Sequence, residues 1–298
     1  MIRDLPNPSK KRPYAVGLGF LVPAFIVFAL FQWLPILANF LLAFTEYNPG
    51  FLPKWIGIEN FRAIFNDPRF FTALSNTIFY VLICLVFGFI IPIIVALAIS
   101  ELRWGRGFFR TAIYIPNILP AIATYIIWRW IFNPQFGLLN AFLGIFGVEP
   151  QLWLLSGNQV LLSIAIMATW QGFGSTAVLY MASLTSVNPE LYESAEMEGA
   201  GFFQRIWYIT LPSISGTIKL LLVLQLIATF QVLQEPYVLT QGGPNDASLT
   251  LMLLTHQYAF EKIDFGRAGA LGSLFLLAMI GLSVFYVQKT GLAETKRS

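Results

Sequence analysis

From Phe70 to Ser100 the chain reads "FFTALSNTIFYVLICLVFGFIIPIIVALAIS" and contains no charged residue. This run limits the fold more than any other feature. A helix needs roughly 20 apolar residues to cross a hydrocarbon layer about 30 Å thick. Six runs meet that requirement: about Ala15–Phe44, Asn76–Ile99, Ala112–Phe132, Val160–Leu184, Ile218–Leu239 and Ala268–Val287. The first two are long enough to tilt or to extend beyond the bilayer. In lipid, every backbone N–H and C=O must be satisfied within the structure, which leaves helices or a closed barrel. Barrel strands alternate over about ten residues, and these runs are longer and continuous. The expectation is an all-α polytopic membrane protein with six transmembrane helices, forming one membrane domain over residues 1–298. No internal repeat, low-complexity tract or flexible linker divides it.

Composition supports that reading. Charged residues make up 11% of the 298, against about 25% in soluble domains. That is too little charge to cover a surface in water. The net charge of +3 leaves no nucleic-acid footprint. The lone Cys84 excludes an internal disulfide and a cysteine metal site, and the lone His256 cannot build a histidine site, so no metal is expected. Cys84 suits apolar packing, and His256 suits packing or a hydrogen bond in a loop. No cleavable signal peptide is expected, because the first apolar run has the length of a span and lacks a small-residue cleavage site.

The basic residues set an orientation. With the amino terminus inside, twelve fall on the inner side: Arg3, Lys10, Lys11, Arg12, Arg103, Arg106, Arg110, Arg205, Lys219, Lys289, Lys296 and Arg297. Five fall outside: Lys54, Arg62, Arg69, Lys262 and Arg267. Arg129, flanked by Trp128 and Trp130, suits an outer aromatic belt with a snorkelling arginine. Both termini are therefore expected in the cytoplasm. The segment between the fourth and fifth runs faces the same way.

That segment, "NPELYESAEMEGAGFFQRIWYITLP" (Asn188–Pro212), is acidic and built like a helix pair. Asn188 suits an N-cap, Pro189 the first helical position, and Glu190 and Glu193 the positive helix end. The helix is expected to run to about Glu198, with Gly199-Ala200-Gly201 as a joint. A second short helix is expected over Phe202–Ile209, ended by Leu211-Pro212. The first helix is amphipathic but not basic, which suits an anionic membrane surface poorly. Two readings stay open on physics alone: a loop helix packed on its own protein or the bilayer, and a docking element for a protein partner.

The spacing resembles a known pattern. Glu193-Ser194-Ala195, three residues, Gly199, nine residues, then Ile209-Thr210-Leu211-Pro212 is similar to the EAA loop of ABC importer permeases, E-A-A-x3-G-x9-I-x-L-P. The one departure is Ser194 for the first alanine, and both are small. "WIGIENFRAIFNDPRFFTALSNTIFY", "YIPNILPAIATYIIWRWIFNPQFGLLN" and "FQVLQEPYVLTQGGPNDAS" resemble further segments of the carbohydrate-uptake branch. The resemblance covers nearly the whole chain. It is nearest the first permease of glycerol-3-phosphate, multiple-sugar, lactose and maltose transporters of type I, without the large external insertion of the maltose member.

The resemblance implies a multi-pass protein of the bacterial cytoplasmic (inner) membrane. Its implied partners are a second related permease, two ABC ATPase subunits and an extracytoplasmic solute-binding protein. The EAA loop would couple this chain to an ATPase through Glu193, Ser194, Ala195, Gly199, Ile209, Leu211 and Pro212. ATP and Mg would be bound by the partner ATPase subunits, with no cofactor in this chain. The sequence agrees on its own terms. A P-loop needs G-x-x-x-x-G-K-[ST], and none of Lys10, Lys11, Lys54, Lys219, Lys262, Lys289 or Lys296 sits in that context. The chain is not expected to be an enzyme, and ATP hydrolysis must come from another chain.

Polar residues within spans are costly and usually face a cavity or a partner. The fifth run carries Gln225, Thr229, Gln231, Gln234 and Glu235, followed by Pro236 as a possible break. Gln231, Gln234 and Glu235 are spaced i, i+3, i+4 and are expected to share a face. Their amides and carboxylate suit sugar hydroxyls, and Glu235 disfavours a phosphate. The fourth run carries Trp170, Gln171, Gly172, Gly174 and Ser175. Trp170 could stack on a sugar face. Equally, the glycines suit close helix packing and the amides interhelical bonds. An intramembrane protease would need a base level with Ser175, and the only histidine is expected outside. A stand-alone secondary carrier or channel for a small polar solute is the alternative. Such carriers often show paired repeats or ionisable pairs within spans. Co-purification of an ATPase separates the two.

Overall fold

The computed structural model describes residues 12–290 apart from 48 and 103, with side chains from 19 onward. Arg3, Lys10, Lys11, Arg103, Lys296 and Arg297 lie outside the described residues, as does the Arg12 side chain.

The first apolar run forms α1 (Arg12–Phe28) and α2 (Leu34–Leu42), joined by a π-helical turn at Ala29–Trp33. A two-stranded antiparallel hairpin, β1 (Thr45–Glu46) and β2 (Lys54–Trp55), leads into α3 (Glu59–Phe65). Asp67 then starts α4 (Pro68–Ser100). Its carboxylate accepts from the Arg69 amide at 2.9 Å, and Pro68 fills the first turn, where its missing N–H costs nothing. At about 1.5 Å per residue, α4 is about 50 Å long and exceeds the hydrocarbon layer.

The expected third span, Ala112–Phe132, is not one helix. It starts earlier, as α5 (Arg106–Ile118), and meets α6 (Ala121–Ile131) at 95°. The break falls at Leu119, which is extended (φ −64, ψ 140) ahead of Pro120. A proline disfavours helical geometry in the residue before it. A short helix, α7 (Leu138–Gly144), and a 3-10 turn at Trp153–Leu155 lead to α8. That helix, Val160–Leu184, matches the expected fourth span.

After α8 come α9 (Pro189–Met197) and α10 (Phe202–Arg205). A π-helical turn at Ile206–Thr210 continues into α11 (Leu211–Ser213). Leu211-Pro212 was expected to end this unit. Instead Pro212 sits in the first turn of α11, and the chain bends by 71° at Ile214 into α12 (Ser215–Phe230). The expected fifth span, Ile218–Leu239, is also interrupted. α12 stops at Gln231, and α13 (Gln234–Thr240) begins after an irregular Leu233 (φ −134, ψ −53). Pro236 does not mark the break, because it lies in the first turn of α13, where no intrahelical N–H bond is lost. α14 (Leu251–His256), a π-helical turn at Gln257–Glu261 and α15 (Phe265–Thr290) complete the described chain.

Four stretches are continuous, long and apolar enough to cross a membrane, and six are if each bent pair counts as one span. α4 and α8 pack along each other at the centre, with α5 against α8, α12 against α4 and α15 against α2. Gly174 on α8 allows the α5 contact, because a Cβ there would stand 1.8 Å from the Ile113 carbonyl oxygen. Close approach of this kind drives association where lipid removes any hydrophobic advantage.

At the end away from α9 the loops are tied by polar contacts. Arg69 donates to both carboxylate oxygens of Asp246, at 2.9 and 3.0 Å, and to Gln257 at 2.7 Å. Asn76 donates to the Asp246 and Leu249 carbonyls at 2.8 and 3.0 Å. The Tyr258 hydroxyl donates to Asp67 at 2.6 Å. Partial burial pushes the Asp67 carboxyl up. The Tyr258 and Arg69-amide hydrogen bonds and the Lys262 and Arg69 charges outweigh that, and its pKa lies below the ordinary value.

Candidate functional site

α9 is capped at both ends by its own sequence. The Asn188 side chain accepts from the Glu190 amide at 3.1 Å, with Pro189 in the first turn. At the other end, the Ala200 amide reaches the Ala195 carbonyl at 2.9 Å and the Gly199 amide reaches Glu196 at 3.0 Å. This is a Schellman stop, and it requires the left-handed conformation that Gly199 adopts at φ +80. Gly199 is thus the joint that the sequence suggested.

The helix is fully formed yet none of its residues is buried. Glu193, Ser194, Glu198 and Gly199 are exposed, and Met197 is 89% exposed. Its ties to the rest of the molecule are few. The Tyr192 and Thr210 hydroxyls share a hydrogen bond at 3.0 Å. Glu196 pairs with Arg205, and the Gln204 side chain accepts from the Gly201 amide at 2.7 Å. Ala195, Gly199 and Ile209 border a shallow recess of about 380 Å³ between α9 and the following helical segment. Leu211 and Pro212 stand at the bend into α12.

A second feature lies between α4, α8 and the α12–α13 break. It is a cavity of about 530 Å³. The break contributes Gln231, Gln234 and Glu235, so these three do converge. They do so as a C-cap and the opening of a new helix, not as one helical face. α8 contributes Thr169, Gly172, Phe173 and Thr176, an i, i+3, i+4, i+7 stripe. Trp170 and Gln171 are off that stripe and do not line the cavity. Trp170 packs edge-on against Trp128, with ring centroids 5.5 Å apart. Gln225 closes one side by donating to the Cys84 carbonyl at 2.6 Å. No Lys, Arg or His lines the space, and Glu235 is its one carboxylate. Sequence reasoning missed Tyr80, Thr169 and Thr176. The α8 stripe was readable as a period of threonines and a glycine, but Tyr80 in an apolar run gave no signal.

These two features sit within a matched family. Residues 88–290 match the model of the binding-protein-dependent transport system inner membrane component. The chain belongs to that family. Within it, the E-S-A-x3-G spacing on α9 is the characteristic EAA motif, and the chain is a permease subunit of an ABC importer, whose ATPase is a separate subunit.

Similar proteins span the same length. The probable ABC transporter permease protein YurN of Bacillus subtilis is 35% identical, over 97% of this chain and 99% of that protein. The arabinooligosaccharides transport system permease protein AraP of the same organism is 30% identical, over 97% and 91%. A solved chain of a bacterial ABC transporter involved in import of the acidic polysaccharide alginate superposes with a TM-score of 0.83 at 26% identity, covering 94% of this chain and 96% of that one. A second structure of a bacterial alginate transporter includes a pentasaccharide-bound periplasmic protein. Among the described residues, no group of three or more His, Cys, Asp or Glu is placed to hold a metal ion.

Proposed function

We propose that the chain, as one membrane domain over residues 1–298, forms half of the pathway of an ATP-driven importer for a neutral sugar or related polyol. The other half is a second, related permease. Two ATPase subunits bind ATP and Mg on the cytoplasmic side, and an extracytoplasmic binding protein delivers the solute. The excess of basic residues on one side supports placing both termini and α9 in the cytoplasm of a bacterial cell.

The observation that carries this reading is the state of α9. Its caps make it a rigid element, and its unburied surface leaves Glu193, Ser194, Ala195 and Gly199 available to an ATPase groove. The bend at Ile214 supports transmission from Ile209, Leu211 and Pro212 into α12, which ends at Gln231 in the cavity. Movement of α9 would therefore reach the residues assigned to the solute: Gln231, Gln234 and Glu235. Amide and carboxylate groups suit sugar hydroxyls, and a lining with no cation disfavours an anionic solute such as the alginate taken by the solved relative. Trp170 and Gln171 belong to the supporting wall in this account.

The test is purification of the intact complex in mild detergent, with subunits identified by mass spectrometry. ATPase stimulation is then screened across neutral, phosphorylated and uronate sugars with the binding protein present. Stimulation by neutral sugars alone supports the proposal, and a lone, solute-translocating homo-oligomer overturns it.

A further inference from the structure

Beside the start of α5, on the side of the molecule where α9 lies, there is a recess of about 360 Å³ lined by Arg106, Gly107, Arg110, Met181, Ala182 and Thr185. The two arginines are one helical turn apart. The ion pairs among the described residues are Arg62–Glu59, Arg69–Asp246, Arg205–Glu196 and Arg267–Asp264, so neither Arg106 nor Arg110 has a carboxylate partner. Arg106 is oriented by a 2.9 Å bond to the Ser100 carbonyl at the end of α4. The Arg110 side chain, within the same helix, forms no hydrogen bond among the described residues. Like charges at this spacing repel, and both cations occupy the first two turns of a helix, where the dipole disfavours them. Both residues are exposed, so an anion approaching from outside can reach them.

We infer that this recess binds the phosphate of an anionic phospholipid. Two guanidinium forks offer donors in the geometry a phosphate accepts. The opposite wall, Met181 and Ala182 on α8, is apolar and fits the glycerol ester below a headgroup. Trp104, 89% exposed, and Phe108, 72% exposed, flank the arginines on the outward surface, as aromatic side chains do at the level of lipid headgroups. Basic pockets between spans on the cytoplasmic side are sites for anionic headgroups. A freely dissolved phosphate would gain nothing from the apolar wall or the aromatic rim.

The site also adjoins the coupling loop. A neighbouring recess of about 380 Å³ shares Arg106 and Thr185 and extends to Pro189, Tyr192 and Arg205. Glu101 lines that second space but not the first. A lipid held by Arg106 and Arg110 therefore stands beside the element that the ATPase moves.

Native mass spectrometry of the delipidated importer complex, titrated with phosphatidylglycerol, phosphatidylcholine or inorganic phosphate, tests the inference. Phosphatidylglycerol is expected to bind. The double variant Arg106→Gln/Arg110→Gln should weaken it at least about tenfold, while Arg62→Gln, at an exposed site elsewhere, leaves it unchanged. Excess inorganic phosphate should not displace it. Equal binding to the double variant, or displacement by inorganic phosphate, overturns the inference. If the double variant does not assemble, hydrogen exchange of residues 106–112 in the wild-type complex decides. Protection in phosphatidylglycerol nanodiscs over phosphatidylcholine supports the site, and equal exchange refutes it.

Discussion

At the end away from α9, Arg69 grips Asp246 and Gln257, Asn76 donates twice to the same loop, and Tyr258 donates to Asp67. On α9 itself, Glu193 and the C-capping Glu198 have no ion-pair partner among the described residues, and no side chain is buried. Both regions are polar connections between apolar helices. One satisfies its polar groups internally and is cemented to the spans. The other satisfies its backbone through caps, ties down only Tyr192 and Glu196 to the segment that follows, and leaves Glu193, Ser194 and Glu198 open. Under the proposed function, a helix so capped and so little packed gains its remaining contacts from another protein. The contrast separates polar residues that hold the fold from those that serve a partner.

The contrast can be broken by substitution. The largest effect is expected in the scaffold that both regions share. Gly174→Ala places a methyl group against the Ile113 carbonyl and should abolish recovery of monodisperse complex in size-exclusion chromatography. Gly172→Ala, two residues earlier, meets no atom within 4 Å and should leave recovery unchanged. Equal recovery of both variants would show that the α5–α8 contact is looser than described.

Next comes the open region. Glu193→Arg should leave assembly of the two permeases intact. Transport should fall at least about tenfold, equivalent to about 1.4 kcal/mol of lost coupling contact. Thermal stability of the permease pair should not move, because Glu193 is exposed and has no ion-pair partner among the described residues. A variant that lowers stability and transport together would make α9 structural, not a docking element.

The cemented region should respond in the opposite sense. Arg69→Met leaves Asp246 without its partner at a half-exposed site and should cost about 2 kcal/mol. For a chain of this size that is a midpoint lower by about 4 °C in a detergent melt. ATPase association should persist. Loss of the ATPase from this variant would mean that the two ends are not independent.

The smallest effect concerns acid. Asp67 has a folded pKa below the ordinary aspartate value of 3.8. Its contribution is therefore complete above that value and is lost as pH falls through the lower, folded value. Melts of the wild type and Asp67→Asn should differ from neutral pH down to about 3.8 and converge only as pH falls below the lower, folded value. A constant difference across that range would remove Asp67 from the network.

Much of this was legible in the sequence, for identifiable reasons. α8 and α9 were readable because local chemistry fixes them: an unbroken apolar run for one, Asn188-Pro189 and Gly199 for the other. The breaks at Leu119 and Gln231 were not. Pro120 and Pro236 look alike as breakers, yet the first bends its span and the second sits harmlessly in a first turn. The difference lies in where each proline falls relative to a helix start, and neighbouring helices decide that. The cavity was half legible. Gln231, Gln234 and Glu235 stood out as polar residues in an apolar run. Tyr80 and the threonines of α8 reach the same space only through the packing of α4 on α8, which no local pattern encodes. Trp170 was conspicuous by its chemistry, but helical phase turns it toward Trp128.

The central claim is that α9 is the handle by which an ATPase moves this permease. A photo-crosslinking amino acid at Met197, 89% exposed on α9, tests it in the intact complex. The account predicts an adduct with the ATPase subunit that disappears when Glu193→Arg is added. An adduct confined to lipid or to the permeases, or one unaffected by that substitution, would contradict it.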